Sequence, residues 1–184
     1  MATVAAAFAE DPGWAFIFAE EYERLAAQFA GALFDVRVAC GNVWVADDLA
    51  AVAMWDSPDG GDALPGRVED VWRRYRALAG EVAFARLSSY NDAVARAASA
   101  EPHRPYWYLG VLATHPGRRC EGLASAALEP VLAQADEAGL ACCLETSTWE
   151  NRRFYEHRGF TEAMDVVLPG GPATWWLCRA PLPA

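Results

Sequence analysis

The run Arg118-Arg119-Cys120-Glu121-Gly122-Leu123-Ala124 stands between a stretch of strand-like apolar residues and a stretch with helical periodicity. A strand that enters a glycine-containing turn and then a helix leaves the first backbone N–H groups of that helix without partners. Together with the helix dipole, those groups form a site for an anion. Arg119, Gly122 and Ala124 fit the spacing Q/R-x-x-G-x-G/A, in which small residues let the backbone close on a diphosphate. Arginines ahead of a helix also occur as plain surface charge, so the loop alone admits both readings. His103, His115 and His157 have no metal-ligand spacing, and no metal site is expected.

The elements that must position this loop can be read on either side of it. A strand is predicted over 106–114, then the loop 115–122, a helix over 123–138 that Pro130 should kink or split, a strand over 140–146 and a helix over 151–158. Upstream, residues 4–8 read as the end of a helix that stops before Asp11-Pro12, and 20–33 as an amphipathic helix. Residues 42–47 and 50–55 alternate as a hairpin, 57–65 is a glycine- and proline-rich loop, and 68–79 and 82–98 are helices broken at Gly80. Residues 160–168 and 174–179 close the chain as strands across Pro169-Gly170-Gly171-Pro172. This is an α/β (α+β) pattern: a mixed sheet with helices on both faces. Trp14, Phe16 and Phe18 either cap the core or line a pocket. Cys142 and Cys143, adjacent in a strand, point to opposite faces and read as two small buried residues.

At 184 residues and 54% hydrophobic content, the chain suits one domain spanning 1–184. Its eight tryptophans suit a pocket for a flat or apolar ligand as well as a core. A net charge of −10 argues against a nucleic-acid partner, which needs a basic patch, and fits a cationic small molecule. Five cysteines without C-x-x-C spacing, and no signal peptide, point to a reducing cytoplasm and away from a disulfide framework or structural zinc. The apolar start lacks basic residues and is too short to span a membrane, so no membrane partner is expected.

Beyond the loop stands L-E-T-S-T-W-E-N-R-R-F-Y-E-H-R-G-F at 144–160. With the loop, it resembles the GNAT acyl-CoA-dependent N-acetyltransferase superfamily and, within it, puromycin N-acetyltransferase and its actinobacterial relatives. V-W-V-A-D-D at 43–48, A-V-A-M-W at 51–55 and G-P-A-T-W-W at 171–176 carry the likeness along nearly the whole chain in the same order. The resemblance implies a mostly antiparallel sheet whose first edge strand is missing here, because it would precede the helix at 4–8.

The resemblance also implies roles. Acetyl-CoA would be the acyl donor, its diphosphate on the backbone of Arg119 to Ala124 and its pantetheine arm along Leu112, Ala113 and Thr114. Glu145 would be the general base, with pairing to a nearby arginine as the lesser reading. Tyr155 would protonate the departing thiolate. Asn151 could hold the pantetheine or cap its helix. Trp14, Phe18, Trp55, Tyr90 and Trp107 are the candidate substrate-pocket residues.

At Cys120 and Glu121 the chain departs from its relatives, which carry Gly followed by Lys or Arg. A carboxylate about 6 Å from a phosphate costs roughly 1 to 3 kcal/mol. Amide bonds to the phosphates, at about 1.5 to 3 kcal/mol each, outweigh this, with Arg118 and Arg119 partly compensating. The expected function is transfer of an acetyl group to an amine of a small, cationic or aromatic metabolite or antibiotic by direct attack. The alternatives are a protein or peptide amine as acceptor, a different acyl donor or chemistry on the same fold, or a ligand-binding protein that has lost catalysis.

Overall fold

The computed structural model describes residues 1–59 and 65–182. Three short N-terminal segments lead in: helix α1 (Ala2–Ala7), helix α2 (Pro12–Phe18) and a 3-10 turn (Ala19–Glu21). Helix α3 (Tyr22–Val38), the hairpin β1 (Val43–Ala46) and β2 (Ala51–Asp56), and the long helix α4 (Pro65–Ala100) follow. The second half alternates: β3 (Tyr106–Thr114), α5 (Leu123–Ala138), β4 (Ala141–Thr146), α6 (Trp149–Glu156), β5 (Thr161–Asp165) and β6 (Trp175–Arg179). Gly80, with φ 81° and ψ 168°, divides α4 into two helical halves, as its sequence position predicts. Helix α2 was not foreseen. Pro12 opens it with the φ that a first helical turn needs, and Asp11 caps it by accepting from Trp14 N at 2.9 Å.

Pro130 neither ends nor splits α5. It stands on the exposed face, and the carbonyl of Ala126 that its missing N–H would have served is exposed with it. Apolar Leu128, Val131, Leu132 and Ala135 face the sheet and hold the helix there. Residues 60–64 of the expected 57–65 loop lie outside the described residues.

The six strands take the order β1-β2-β3-β4-β6-β5, antiparallel except for the β3/β4 pair. No strand precedes α1 among the described residues, and β1 forms that edge of the sheet. One β3/β2 irregularity sets which side chains reach which face. Trp55 pairs with Leu109 and Met54 with Val111, so Gly110 is a bulge. On one side of the sheet Trp107 and Leu109 pack with Trp55, α5 and Phe160. After the bulge Val111 and Ala113 turn to the opposite side, where α2, α3 and α4 pack. A third cluster joins the second half of α4 to Cys143, Trp176 and Cys178.

The β3/β4 pairing runs only from Tyr106↔Ala141 to Leu109↔Leu144. Both strands continue beyond it, β3 to Thr114 and β4 to Thr146, without pairing to each other. The sheet is parted there, and the edge of β3 that faces the gap keeps unpaired backbone groups.

Cys142 and Cys143 do face opposite sides of β4, in separate clusters. Contrary to the expectation of unpaired thiols, Cys143 is bonded to Cys178, its register partner on β6, with their Cα atoms 4.2 Å apart. The partner lies 35 residues away and only strand pairing brings it alongside, so no local spacing marks it. Glu101, buried beside the two bonded cysteines, accepts from Trp176 Nε1 at 3.1 Å.

Candidate active site

A cavity of about 720 Å³ runs through the parted strands. Trp14, Tyr90, Arg37 and Tyr108 line it from one side of the sheet, and Asn151 and Tyr155 from α6 on the other. Glu145 projects into it from β4 just past the last β3/β4 pair. Alternation along β4 turns Leu144 into the α5 cluster and Glu145 to the opposite side, where it meets two phenols. Tyr108 donates to Glu145 Oε2 at 2.5 Å, and Tyr90 to Oε1 at 3.4 Å.

The Glu145 carboxyl is raised to about 7. Loss of water is the main cause. The hydrogen bonds from Tyr108 and Tyr90, a backbone N–H and the charge of Arg37 pull the other way. A carboxylate that titrates near neutrality at the wall of a cavity is suited to receive a proton. Tyr155 is buried, and its phenol lies above the ordinary tyrosine range because it is desolvated and because Glu145 and Asp11 oppose a second negative charge. It therefore stays protonated at neutral pH and can donate.

Asn151 is the third residue of α6 and not its cap. Thr148 caps the helix by accepting from Asn151 N at 3.2 Å, which leaves the Asn151 amide free to line the cavity. Of the expected pocket residues, Trp14 and Tyr90 line the cavity, and Phe18, Trp55 and Trp107 do not. Phe18 packs into the α2/α3 core at 1% exposure. Trp55 and Trp107 meet edge to face at 6.5 Å in the α5 cluster, because strand alternation turns both away from Glu145. Composition had marked the tryptophans, whereas the residue that reaches the carboxylate is Tyr108, one position from Trp107 and on the opposite face. The 2.0 period of β3 was the signal available for it. Asp11, Arg37 and Asp56 also line the cavity, and nothing in their local sequence marks them.

At the far end of the gap, Gly122 adopts φ 82° at the start of α5, and no side chain caps that helix. Leu123 and Ala124 thus begin a helix whose first amides are open to an anion. Leu112 lines the cavity, Ala113 is buried beneath it, and Thr114 ends β3 just before the loop. The charges on the loop differ from expectation. Arg118 is held by Glu121, whose carboxylate oxygens accept from its Nε at 2.8 and 3.0 Å, and by Asp47 at 2.6 Å. Two carboxylates therefore neutralise the arginine expected to offset one. Arg119 makes no ion pair among the described residues, and Cys120 is exposed at φ 66°. Arg158, which the sequence reading did not single out, donates to Ser125 in the first turn of α5 and lies over the Phe154 ring. It is a further cation beside the loop.

An open helix start at one end of the gap, a bare strand edge along it, and a carboxylate–phenol pair across it are features that an acyltransferase with a long phosphorylated thioester donor would need. The Acetyltransferase (GNAT) family model matches residues 49–160, which hold β2 to α6 and nearly all of these features, and the chain belongs to that family. It is an acyl-CoA-dependent N-acyltransferase. An uncharacterized N-acetyltransferase of Schizosaccharomyces pombe is 24% identical over 177 residues, covering 91% of this chain and 71% of the relative. Among solved structures, a histone acetyltransferase HPA2 and related acetyltransferase of Corynebacterium glutamicum aligns with a TM-score of 0.69 at 22% identity, covering all of this chain and 90% of the other. A polyamine N-acetyltransferase of Drosophila melanogaster aligns at 0.62 and 14% identity, over 96% of this chain and 90% of that one. Both structural likenesses concern the fold.

Proposed function

We propose that this chain, folded as one domain, moves the acetyl group of acetyl-CoA to an amine of a small cationic molecule with aromatic character, by direct attack. The observation that carries the proposal is Glu145, raised to about 7 and held by Tyr108 at the wall of a cavity that reaches Tyr155 through the gap. The diphosphate would rest on the amides of Leu123 and Ala124 with Arg119 and Arg158 nearby, and the pantetheine arm on the free edge of β3 between Gly110 and Thr114, near Asn151. Phe8, Trp14, Phe29 and Trp72 give the acceptor end aromatic walls. Asp11 and Glu145 have no cationic side chain in contact among the described residues, and a cationic acceptor would supply the missing charge.

Proton accounting supports a base of this strength. An α-amine near pKa 7.8 passes its proton to Glu145 for about 1 kcal/mol, whereas an alkylammonium near 10.4 needs about 4 to 5 kcal/mol. The reading therefore favours acceptors with weakly basic amines. The neutral amine attacks the thioester carbonyl, the C–S bond breaks, and the amine proton leaves through Glu145. Tyr155 donates a hydrogen bond to the thiolate. A thiol is more acidic than this phenol, so the proton that finally resides on sulfur comes in balance from the amine. Among the described residues that line the cavity there is no cysteine to carry the acyl group.

We further read the acceptor as an antibiotic, nucleoside or similar metabolite, which links the enzyme to antibiotic resistance or secondary metabolism. Calorimetric titration with acetyl-CoA, followed by thiol release against a panel of amine antibiotics and aminonucleosides, tests the proposal. Micromolar binding with turnover of at least one weakly basic amine is expected. Absence of acetyl-CoA binding would overturn the donor assignment and favour another acyl donor or a ligand-binding role.

A further inference from the structure

Arg37 lies near the C-terminal end of α3, a place where arginine is ordinarily solvated, yet only 7% of it is exposed. Its guanidinium is laid against β2 and β3 on the cavity wall. Nη2 pairs with Asp56 Oδ2 at 2.7 Å, Nη1 donates to Leu33 O at 3.3 Å, and Nε has no partner among the described residues. Beneath it is Gly110, the bulge residue, where a Cβ would stand 2.5 Å from Nη2. A side chain at the bulge could therefore be accommodated only if the Arg37 guanidinium shifted from this seat.

The bulge also decides which way Tyr108 points. Along an unbroken strand Tyr108 would share a face with Gly110 and Leu112, and Leu112 packs toward α5. The extra residue inverts the pattern, so Tyr108 faces the cavity beside its register partner Asp56 and reaches Glu145. The two charges of the Arg37–Asp56 pair are screened unequally. The Arg37 side chain is 8% exposed and that of Asp56 45%, so water damps the anion and leaves the cation's field inside the protein.

We propose that Arg37 is a positioning residue of the acyl-transfer site: seated on Gly110 and tethered by Asp56, it fixes the bulge that aims Tyr108 at Glu145 and sets a positive charge on the cavity wall that Glu145 faces. This rests on the reading of Glu145 as the base. The groups around Glu145 are Tyr108 from β3, Tyr90 from α4, Tyr155 from α6, Asp56 from β2, Asp11 ahead of α2, and Arg37. Arg37 is the one cation among them. Arg104, at the rim, donates to Ala98 O.

The test follows the Glu145 side-chain carboxyl by carbon NMR across pH, beside the pH dependence of kcat/KM, in Arg37→Met, Arg37→Lys and Asp56→Asn. Arg37→Met should move the Glu145 titration up by about one pH unit, and Arg37→Lys should return most of it. Asp56→Asn, which strips the cation of its partner and keeps the cation, should move it down. The acidic limb of kcat/KM should follow in each case. A merely structural role would lower activity at every pH and leave the titration in place; that result, or a shift of the same sign in Arg37→Met and Asp56→Asn, overturns the proposal. If Arg37→Met does not fold, Arg37→Gln, which drops the charge and keeps polar atoms beside Asp56, decides: an unmoved Glu145 titration there overturns the proposal. Carboxyl titrations that move while the kinetic limb stays would instead overturn the assignment of Glu145 as base.

Discussion

Replacing Tyr108 by Phe isolates one hydrogen bond at the site. The ring can keep its stack on Trp176, whose centroid is 5.8 Å away with planes at 11°, so packing should change little. What is lost is the 2.5 Å donation to Glu145 Oε2. Hydrogen bonds to charged groups contribute about 1.5 to 3 kcal/mol, and 1.36 kcal/mol is one pKa unit. Loss of the bond therefore raises Glu145 by about 1 to 2 units from its value near 7. At pH 7 the ionised fraction falls from about one-half to about 1–10%, and kcat/KM should fall roughly 5- to 50-fold. The loss should be recovered toward pH 9 to 10. The assay is thiol release with an acceptor amine whose own pKa lies below about 6, so that the acceptor is neutral throughout and the limb belongs to the enzyme. A folded Tyr108→Phe protein with its acidic limb at the wild-type pH would refute the assignment of Glu145 as the proton acceptor. A loss of equal size at all pH values would refute the charge argument while leaving a geometric role for Tyr108.

Glu145 should also cost stability. Its folded pKa lies above the ordinary carboxylate value of 4.5, so the folded state binds the extra proton between pH 4.5 and about 7. The relative stability it contributes is full below pH 4.5 and is lost as pH rises through 7. The shift amounts to at most about 3 kcal/mol, less because the carboxylate opens onto the cavity. Glu145→Gln should thus gain up to that amount over wild type in urea melts at pH 8.5 and almost none at pH 4.5; a gain equal at both pH values would contradict the linkage. At the loop, Glu121→Gln should tighten acetyl-CoA by a factor of up to about 5, and Arg118→Ala should weaken it less than Arg119→Ala, because Arg118 already faces two carboxylates. Calorimetry at low salt tests this, and a larger effect at Arg118 would mean that its ion pairs yield to the phosphates. Alkylation of the denatured, unreduced protein should label Cys40, Cys120 and Cys142, and prior reduction should add Cys143 and Cys178. Five labelled cysteines without reduction would count against the cross-strand bond.

Much of the arrangement follows from local properties of the chain. Gly122 before an apolar helix, the alternation of 106–114 and the apolar spacing of 123–138 foretell the anion-ready turn because backbone geometry and the 2.0 and 3.6 periods act over a few residues. Glu145 and Tyr155 emerged from motif resemblance, and the Gly80 break from the conformational freedom of glycine. Helix α2 was missed because its seven residues are too few to show a period, and its Pro12 and Asp11 signal a stop as readily as a start. The pocket walls were beyond local reach. Trp55, Trp107 and Phe18 carry the composition expected of a ligand site, and it is the strand phase that buries the two tryptophans in the α5 core.

Only the tertiary structure decided the phase change at Gly110, the burial of Arg37 over it, the meeting of Tyr90 and Tyr108 at Glu145, and the Cys143–Cys178 pairing. Each joins residues at least 35 positions apart in the chain. Each depends on register, and a one-residue slip of a strand turns every side chain to the other face. Propensity and spacing choose the elements. The electrostatics of a buried carboxylate depend on which groups from other elements exclude water from it and which charges they bring, and no local pattern records that.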